Sequence, residues 1–194
     1  MELYVARHGQ TVSNSERRMQ GSGDSPLTEN GIEQAKELMK TIENIDFDAA
    51  YSSSLNRAVE TAKIALGNRY TIKQDNRLVE FGLGIMEGMP VDEVAIAYPE
   101  SANLFMSDPV SYKTPIGGES LNEIIARVDS FLNEIISLNY NKVFVLSHGF
   151  TMRVLFACTL DKAIPTIAKA PRYANCELVR YIYNGGEWIH THNE

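Results

Sequence analysis

The sequence predicts an α/β fold: a three-layer αβα sandwich with a mostly parallel central sheet, helices on both faces and a small cap insertion. Three observations carry this expectation. Apolar runs too short for helices recur at residues 3–6, 48–52 and 142–146. Amphipathic stretches of helical period follow them, the alternation expected of a parallel sheet with crossover helices. The same three runs lead directly into polar segments, Arg7-His8-Gly9, Ser52 to Arg57 and Ser147-His148-Gly149. In open α/β sheets ligands bind outside the carboxyl ends of the strands.

Taken in order, residues 3–6 read as a buried strand. Residues 28–42 carry Ile32, Ala35, Leu38, Met39 and Ile42 at helical spacing, with Thr28 as N-cap. The strand at 48–52 runs into a helix over 54–66 with Ala58, Val59, Ala62 and Ala65 on one face. Residues 71–74 read as a third strand. From 81 to 118 the periodicity is poor and Gly82, Gly84, Gly88, Pro90, Pro99, Pro109, Pro115, Gly117 and Gly118 interrupt it. Short helices and loops forming a cap are expected there. Ser120 to Glu123 is a capping box, S-x-x-E. It opens a helix striped by Leu121, Ile124, Ile125, Val128, Phe131, Leu132, Ile135 and Ile136. After the strand at 142–146 a helix is expected over 150–160. Residues 177–183 and 188–192, joined around Gly185-Gly186, read as a closing hairpin. Without repeats or a Pro/Gly-rich linker, the chain reads as a single domain over 1–194, the cap insertion covering about 81–119.

The bulk numbers exclude more than they assign. The 194 residues hold 18 Lys plus Arg against 25 Asp plus Glu, a net charge of −7. An acidic surface disfavours nucleic acid and anionic membrane as partners, so a phosphate site must be a local concentration of cations. Cys158 and Cys176 belong to no CxxC pair and read as free thiols in a reducing compartment. The amino terminus, MELYVARHG, lacks the pattern of a signal peptide, and no run approaches the ~18 apolar residues of a membrane span. A cytoplasmic protein is expected.

The three strand-end segments would bring Arg7, His8, Arg57 and His148 to one edge of the sheet. Guanidiniums are planar forks that match phosphoryl oxygens. Their charge disfavours imidazolium and leaves a neighbouring histidine neutral and nucleophilic. A neutral imidazole can attack phosphorus in line while the cations stabilise the equatorial oxygens. Gly9 is expected to let the backbone approach the substrate with no side chain in the way, and His148 to donate a hydrogen bond to a transferring oxygen. The leaving oxygen needs a proton. Glu80, between apolar neighbours at the mouth of the cap, is the candidate donor, its pKa raised by partial burial.

Arg7-His8-Gly9-Gln10-Thr11 with Asn14 resembles the signature of the histidine phosphatase superfamily, which includes the cofactor-dependent phosphoglycerate mutases. Residues 24–31, 52–62, 78–88, 118–120 and 147–149 resemble its later motifs in order, over nearly the whole chain. The resemblance implies His8 as the phosphorylated nucleophile and Glu80 as general acid/base, with Arg7, Arg57 and His148 completing the catalytic set. It places Arg7, Asn14, Arg57, His148 and Gly149 on the phosphate, and implies no metal and no organic cofactor. Two departures stand out. Ser54 occupies a position often held by aspartate, and Met86 one often held by an aromatic residue, where it is expected to alter the substrate pocket.

The expected reaction is hydrolysis of a small phosphate monoester. Mutases of the family usually carry a tryptophan just before the signature asparagine and are longer; here Ser13 precedes Asn14, and the only tryptophan is Trp188. A shorter cap excludes water from phosphohistidine less well. Mutase-type phosphoryl transfer is one alternative. A phosphate-binding module without turnover is the other, although a binder needs neither nucleophile nor acid. Phe81, Leu83, Ile85, Met86, Met89, Tyr98, Phe105, Met106 and Tyr112 are read mainly as packing between cap and sheet. His190 and His192 read as surface residues, Arg17 and Arg18 as a solvated face, and Arg127 as half of an ion pair.

Overall fold

Strand β1 (Glu2–Arg7) lies inside a mixed sheet with β2 (Ala49–Ser53), β3 (Ile72–Asp75), β4 (Lys142–Ser147), β5 (Leu178–Asn184) and β6 (Glu187–Thr191). The computed structural model describes residues 1–102 and 109–191, and Phe105, Met106 and His192 lie outside them. The sheet order is β3-β2-β4-β1-β5-β6. The pairs β2/β3, β2/β4 and β1/β4 are parallel, and β5 and β6 join as the antiparallel hairpin expected.

Side-chain alternation along the strands divides the core into two faces. Leu3, Val5, Tyr51, Val143 and Val145 join one buried cluster with Val128, Phe131 and Leu132. Tyr4, Ala6, Ala50, Phe144 and Leu146 join a second with Leu38, Ile42, Ala58 and Ala62. Helices α6 (Leu121–Ser137) and α7 (Gly149–Cys158) therefore cover the first face, and α2 (Glu29–Ile42) and α3 (Asn56–Leu66) the second. The expected caps form: Thr28 Oγ1 accepts from Gly31 N, and Ser120 and Glu123 make the reciprocal box. Met39, expected on the buried stripe of α2, is 40% exposed instead.

Between β3 and α6 the cap consists of a 3₁₀ turn at Gly84–Met86, α4 (Val91–Ala97), α5 (Pro99–Ala102) and a second 3₁₀ turn at Pro109–Ser111. Its base is pinned where Leu83 bridges to Gly118 and Glu119 N donates to Gly82 O at 2.9 Å. Phe81, Leu83 and Met86 are buried in the core, whereas Ile85 is exposed. Met86 is 0% exposed, so it acts through packing and not, as its position suggested, by shaping a substrate pocket.

Two helices escape the sequence pattern. One is α1 (Val12–Ser15), a single turn held by a Thr11/Asn14 capping box and too short to show a period. The other is α8 (Ile164–Lys169), only six residues long, with Pro165 in its first turn. His190 is a correction: it is partly buried, edge-on to Phe156 and Tyr181, and its Nε2 lies 3.0 Å from Thr159 Oγ1. Among the described residues no helix is long and apolar enough to cross a membrane.

Candidate active site

Register sets the site. Arg7 pairs with Ser147 across β1 and β4, so His8 and His148 leave the sheet side by side. Their ring centroids are 5.1 Å apart. His8 N donates to Ser147 O at 3.0 Å, which locks the two strand ends together. The His8 ring is 2% exposed, and its Nδ1 lies 2.8 Å from Gly9 O. A carbonyl only accepts, so Nδ1 carries the proton and Nε2 holds the lone pair. Burial, then the charges of Arg57 and Arg7, hold the His8 pKa well below its ordinary value. The expected neutral, nucleophilic imidazole is what this environment favours.

Gly9 has a different purpose from the one its position suggested. A Cβ there would lie 2.5 Å from the Gly31 carbonyl oxygen, and a Cβ on Gly31 would overlap the Gln10 carbonyl. The glycines let the His8 loop sit directly on the first turn of α2; substrate access is not the constraint. Thr61 Oγ1 accepts from Gly9 N at 3.0 Å and fixes the loop from α3.

The Arg57 side chain is fully buried, and its fork is held by backbone. Nη1 donates to Gly23 O at 2.6 Å and Nη2 to Gly21 O at 2.8 Å. Nε donates to His148 Nδ1 at 3.2 Å. Asp24 caps α3 from outside its own segment, accepting from Asn56 N at 2.7 Å and Arg57 N at 3.4 Å. Ser54 makes no cap; it donates to Asn76 Oδ1. Arg7 reaches the site from β1, its Nη1 donating to Tyr173 O at 2.7 Å while its buried Nε has no partner.

His148 is 0% exposed. Since Nδ1 accepts from Arg57, the proton sits on Nε2, which donates to Ser53 Oγ at 2.7 Å. Both ring nitrogens are thus engaged within the protein. The expected hydrogen bond from His148 to a transferring oxygen is not made available by this arrangement; the ring holds Arg57 instead. Burial, then Arg57, holds its pKa well below the ordinary value.

Glu80 is half-buried at the amino end of α7. Its carboxylate accepts from Phe150 N at 3.2 Å, Thr151 N at 3.1 Å, Thr151 Oγ1 at 3.1 Å and Phe81 N at 2.9 Å. Arg127 bonds the Glu80 carbonyl and pairs with Glu119 at 2.6 Å, the ion pair expected of it.

Arg7, His8, Asn14, Arg57 and Glu80 line one cleft of about 140 Å³. Gly149 lines the adjoining cavity, close enough to Arg7 that a Cβ would sit 3.4 Å from its Nε. Met19, Phe81, Leu83 and Phe150 supply the cleft's apolar wall. Arg18 also reaches it, while Arg17 pairs with Asp92 at the surface.

The profile of the histidine phosphatase superfamily (branch 1) matches residues 3–194. The chain belongs to this superfamily. Among histidine phosphatase relatives, the probable phosphoglycerate mutase GpmB of Yersinia pestis (strain Pestoides F) is 32% identical over 192 residues, covering 97% of this chain and 88% of that protein. The solved structure of Bacillus stearothermophilus YhfR is similar with a TM-score of 0.88 at 34% identity, covering 97% of this chain and 94% of that one. A mycobacterial glucosyl-3-phosphoglycerate phosphatase, solved with VO3, gives a TM-score of 0.89 at 25% identity over 97% of this chain and 96% of that one. Family membership supports an enzyme that acts on phosphate esters.

Several residues of this histidine phosphatase cleft carried no sequence signal strong enough to single them out. Gln20 lines it, and Gln20 Nε2 is a buried donor with no partner. Asn175, some 160 residues from the signature, donates to His8 O at 2.9 Å and lies 3.4 Å from Asn14 Oδ1. Ser53 looked like part of a polar strand end rather than the partner of His148. An unpaired amide beside an arginine is the one cue that geometry alone supplies.

Proposed function

We propose that the protein hydrolyses a small phosphate monoester through a phosphohistidine on His8. The observation that carries this reading is the His8 tautomer. Nδ1 is committed to Gly9 O, and the lone pair of Nε2 belongs to a ring on the wall of a cleft that also holds Arg7, Arg57 and Glu80.

In the first step Nε2 attacks phosphorus and the P–O ester bond breaks. The guanidiniums of Arg7 and Arg57 stabilise the charge on the equatorial oxygens. Protonated Glu80 gives its proton to the departing alkoxide and becomes carboxylate. In the second step that carboxylate takes a proton from water. The hydroxide oxygen bonds to phosphorus, the P–N bond breaks, and inorganic phosphate leaves with Glu80 protonated again. The amide of Asn14 and the Nε2 of Gln20 are additional donors for the phosphoryl group.

The relative named as a probable phosphoglycerate mutase supports a second outcome, in which the phosphoryl group on His8 returns to an alcohol instead of water. The likeness to the glucosyl-3-phosphoglycerate phosphatase, solved with a vanadate anion, supports hydrolysis. A panel of phosphorylated metabolites assayed for phosphate release, with His8→Ala as control, tests the proposal. Phosphate release lost in the variant is expected. Bisphosphate-dependent isomerisation of phosphoglycerates without phosphate release would replace hydrolysis with transfer. No turnover of either kind would leave a binding module.

A further inference from the structure

Residues 173–177, in the loop between α8 and β5, touch three of the residues that the proposed chemistry uses. Tyr173 O accepts from Arg7 Nη1 at 2.7 Å. Asn175 Nδ2 donates to His8 O at 2.9 Å and to Asn14 Oδ1 at 3.4 Å. An amide NH2 carries two hydrogens, so one nitrogen serves both acceptors at once. Nothing in the steps above gives Asn175 a part.

The loop holds that nitrogen in one place. Glu177 N donates to Ala174 O at 3.2 Å and Glu177 Oε2 accepts from Ala174 N at 2.6 Å, which closes a turn around Asn175 and Cys176. Cys176 has a φ of 56°, in the left-handed region that favours glycine. Its N–H donates to Arg7 O at 3.1 Å, and Arg7 N donates to Glu177 O at 3.2 Å. A residue with a side chain persists in that conformation where its surroundings over-determine it, and such strain gathers at functional sites. The turn is thus fastened to the end of β1, one residue before the nucleophile.

Both acceptors bear on the reacting groups. The His8–Gly9 peptide is held at its oxygen by Asn175 and at its nitrogen by Thr61 Oγ1, 3.0 Å from Gly9 N. The plane of that peptide sets the direction in which the His8 ring leaves the backbone. Asn14 Oδ1 also accepts from Thr11 N at 3.2 Å. With two donors at the oxygen end, turning the Asn14 amide over would aim its NH2 at N–H groups. Nδ2 is therefore the end presented to the cleft that Asn14 lines. We propose that Asn175 is a positioning residue of the phosphoryl site: it holds the Asn14 amide with its donors towards the phosphoryl group and fixes the peptide that carries the nucleophile. The inference rests on the placement of the phosphoryl group at His8 given above. Asn175 touches no substrate and acts through Asn14 and His8.

The test is a double-mutant cycle on kcat/KM with Asn175→Ala and Asn14→Ala. Asn175→Ala alone is expected to lower kcat/KM about tenfold, but only about threefold where Asn14 is already replaced, because the amide it orients is gone. Equal factors in the two backgrounds would overturn the proposal, since a residue that merely supports the fold has no reason to act through Asn14. Asn175→Asp keeps the size of the side chain but points acceptors at two acceptors, and the expected loss is about 10²-fold. A loss no greater than that of Asn175→Ala would also overturn it. Calorimetric binding of inorganic phosphate to His8→Ala and to His8→Ala/Asn175→Ala protein reads the same effect without turnover, with an expected weakening of about tenfold. If wild type releases no phosphate from any ester and this weakening is still found, the positioning role stands and the hydrolytic reading falls. Wild-type kinetics and phosphate affinity in Asn175→Ala, together with a lowered thermal midpoint, would make the residue structural and end the proposal.

Discussion

Arg57 Nε donates to His148 Nδ1 across 3.2 Å, and the opposite ring nitrogen donates to Ser53 Oγ at 2.7 Å. An arginine cannot accept a hydrogen bond, so this chain fixes the tautomer of a fully buried histidine and, through it, the plane of a guanidinium. His148 is thereby a positioning residue for Arg57. His148→Ala leaves Arg57 Nε unpaired and the fork held only through its Nη atoms; kcat/KM is expected to fall about 10²–10³-fold. Ser53→Ala keeps the ring and loses one of its anchors, with an expected loss of about tenfold. Steady-state kinetics on any accepted ester decides it. Activity of His148→Ala within threefold of wild type would show that Arg57 holds its place without the ring.

Gln20 Oε1 accepts from Thr11 Oγ1 at 3.2 Å, which leaves the amide nitrogen buried, unpartnered and on the cleft wall. A buried donor left empty is costly unless a ligand fills it. Gln20→Glu places an acceptor where the phosphoryl oxygens arrive and is expected to lower kcat/KM by at least about 10². Gln20→Leu removes the donor together with the acceptor of Thr11 Oγ1, with an expected loss of about tenfold. Gln20→Glu keeps an acceptor for Thr11 and removes no protein partner of that nitrogen, so its thermal midpoint should stay close to wild type. A large drop in the midpoint with unchanged kinetics would assign Gln20 to folding.

Much of the site was legible because its residues sit where apolar runs stop. Arg7 closes a strand, and His8, Arg57 and His148 each follow one; the burial pattern of these strands is plain in the sequence, and the parallel pairing brings their ends together. What stayed hidden depends on close approaches and loops. The need for Gly9 comes from the Gly31 carbonyl, which no local pattern announces. Asn175 reaches His8 from a loop before β5, and Asp24 caps a helix that begins more than 30 residues later. Met39 lies at helical spacing and is still exposed, because the buried stripe of its helix is the narrow one of Gly31, Ala35, Leu38 and Ile42. The single-turn helix α1 has too few residues for a period, although its Thr11/Asn14 box is a cap by composition.

Glu87 connects the cap to the phosphate loop. Its Oε1 accepts from Ser22 N at 2.9 Å, Ser22 Oγ at 2.7 Å and Leu83 N at 3.0 Å, and its Oε2 from Gly23 N at 3.0 Å. The same loop presents the Gly21 and Gly23 carbonyls to Arg57. Glu87→Gln turns one acceptor oxygen into a donor facing donors. The expected effects are a destabilisation of about 1.5–3 kcal/mol and a roughly tenfold rise in the inhibition constant of inorganic phosphate. Glu87→Asp, which keeps the charge but shortens the reach, should recover part of both. Phosphate inhibition that stays at the wild-type value while stability falls would confine Glu87 to the cap.

Two buried histidines make folding sensitive to acid. Burial, then Arg57, holds both His8 and His148 well below the ordinary histidine value, so each stays neutral in the folded protein where the unfolded chain is already protonated. The unfolded histidines titrate near 6.5. Below about that pH the unfolded state binds more protons, and stability falls as the pH drops; above it this contribution is flat. Between pH 7.5 and 5.5 each histidine accounts for about 1.4 kcal/mol. Urea midpoints of wild type and His8→Asn across this interval measure the share of one ring. The variant is expected to lose less stability than wild type by about that amount. The nucleophile itself should remain unprotonated throughout, so a His8 ring seen by NMR to titrate near 6.5 in the folded protein would overturn this account. Coincident stability profiles for the two proteins would point the same way, because a ring that protonates equally in both states contributes no slope.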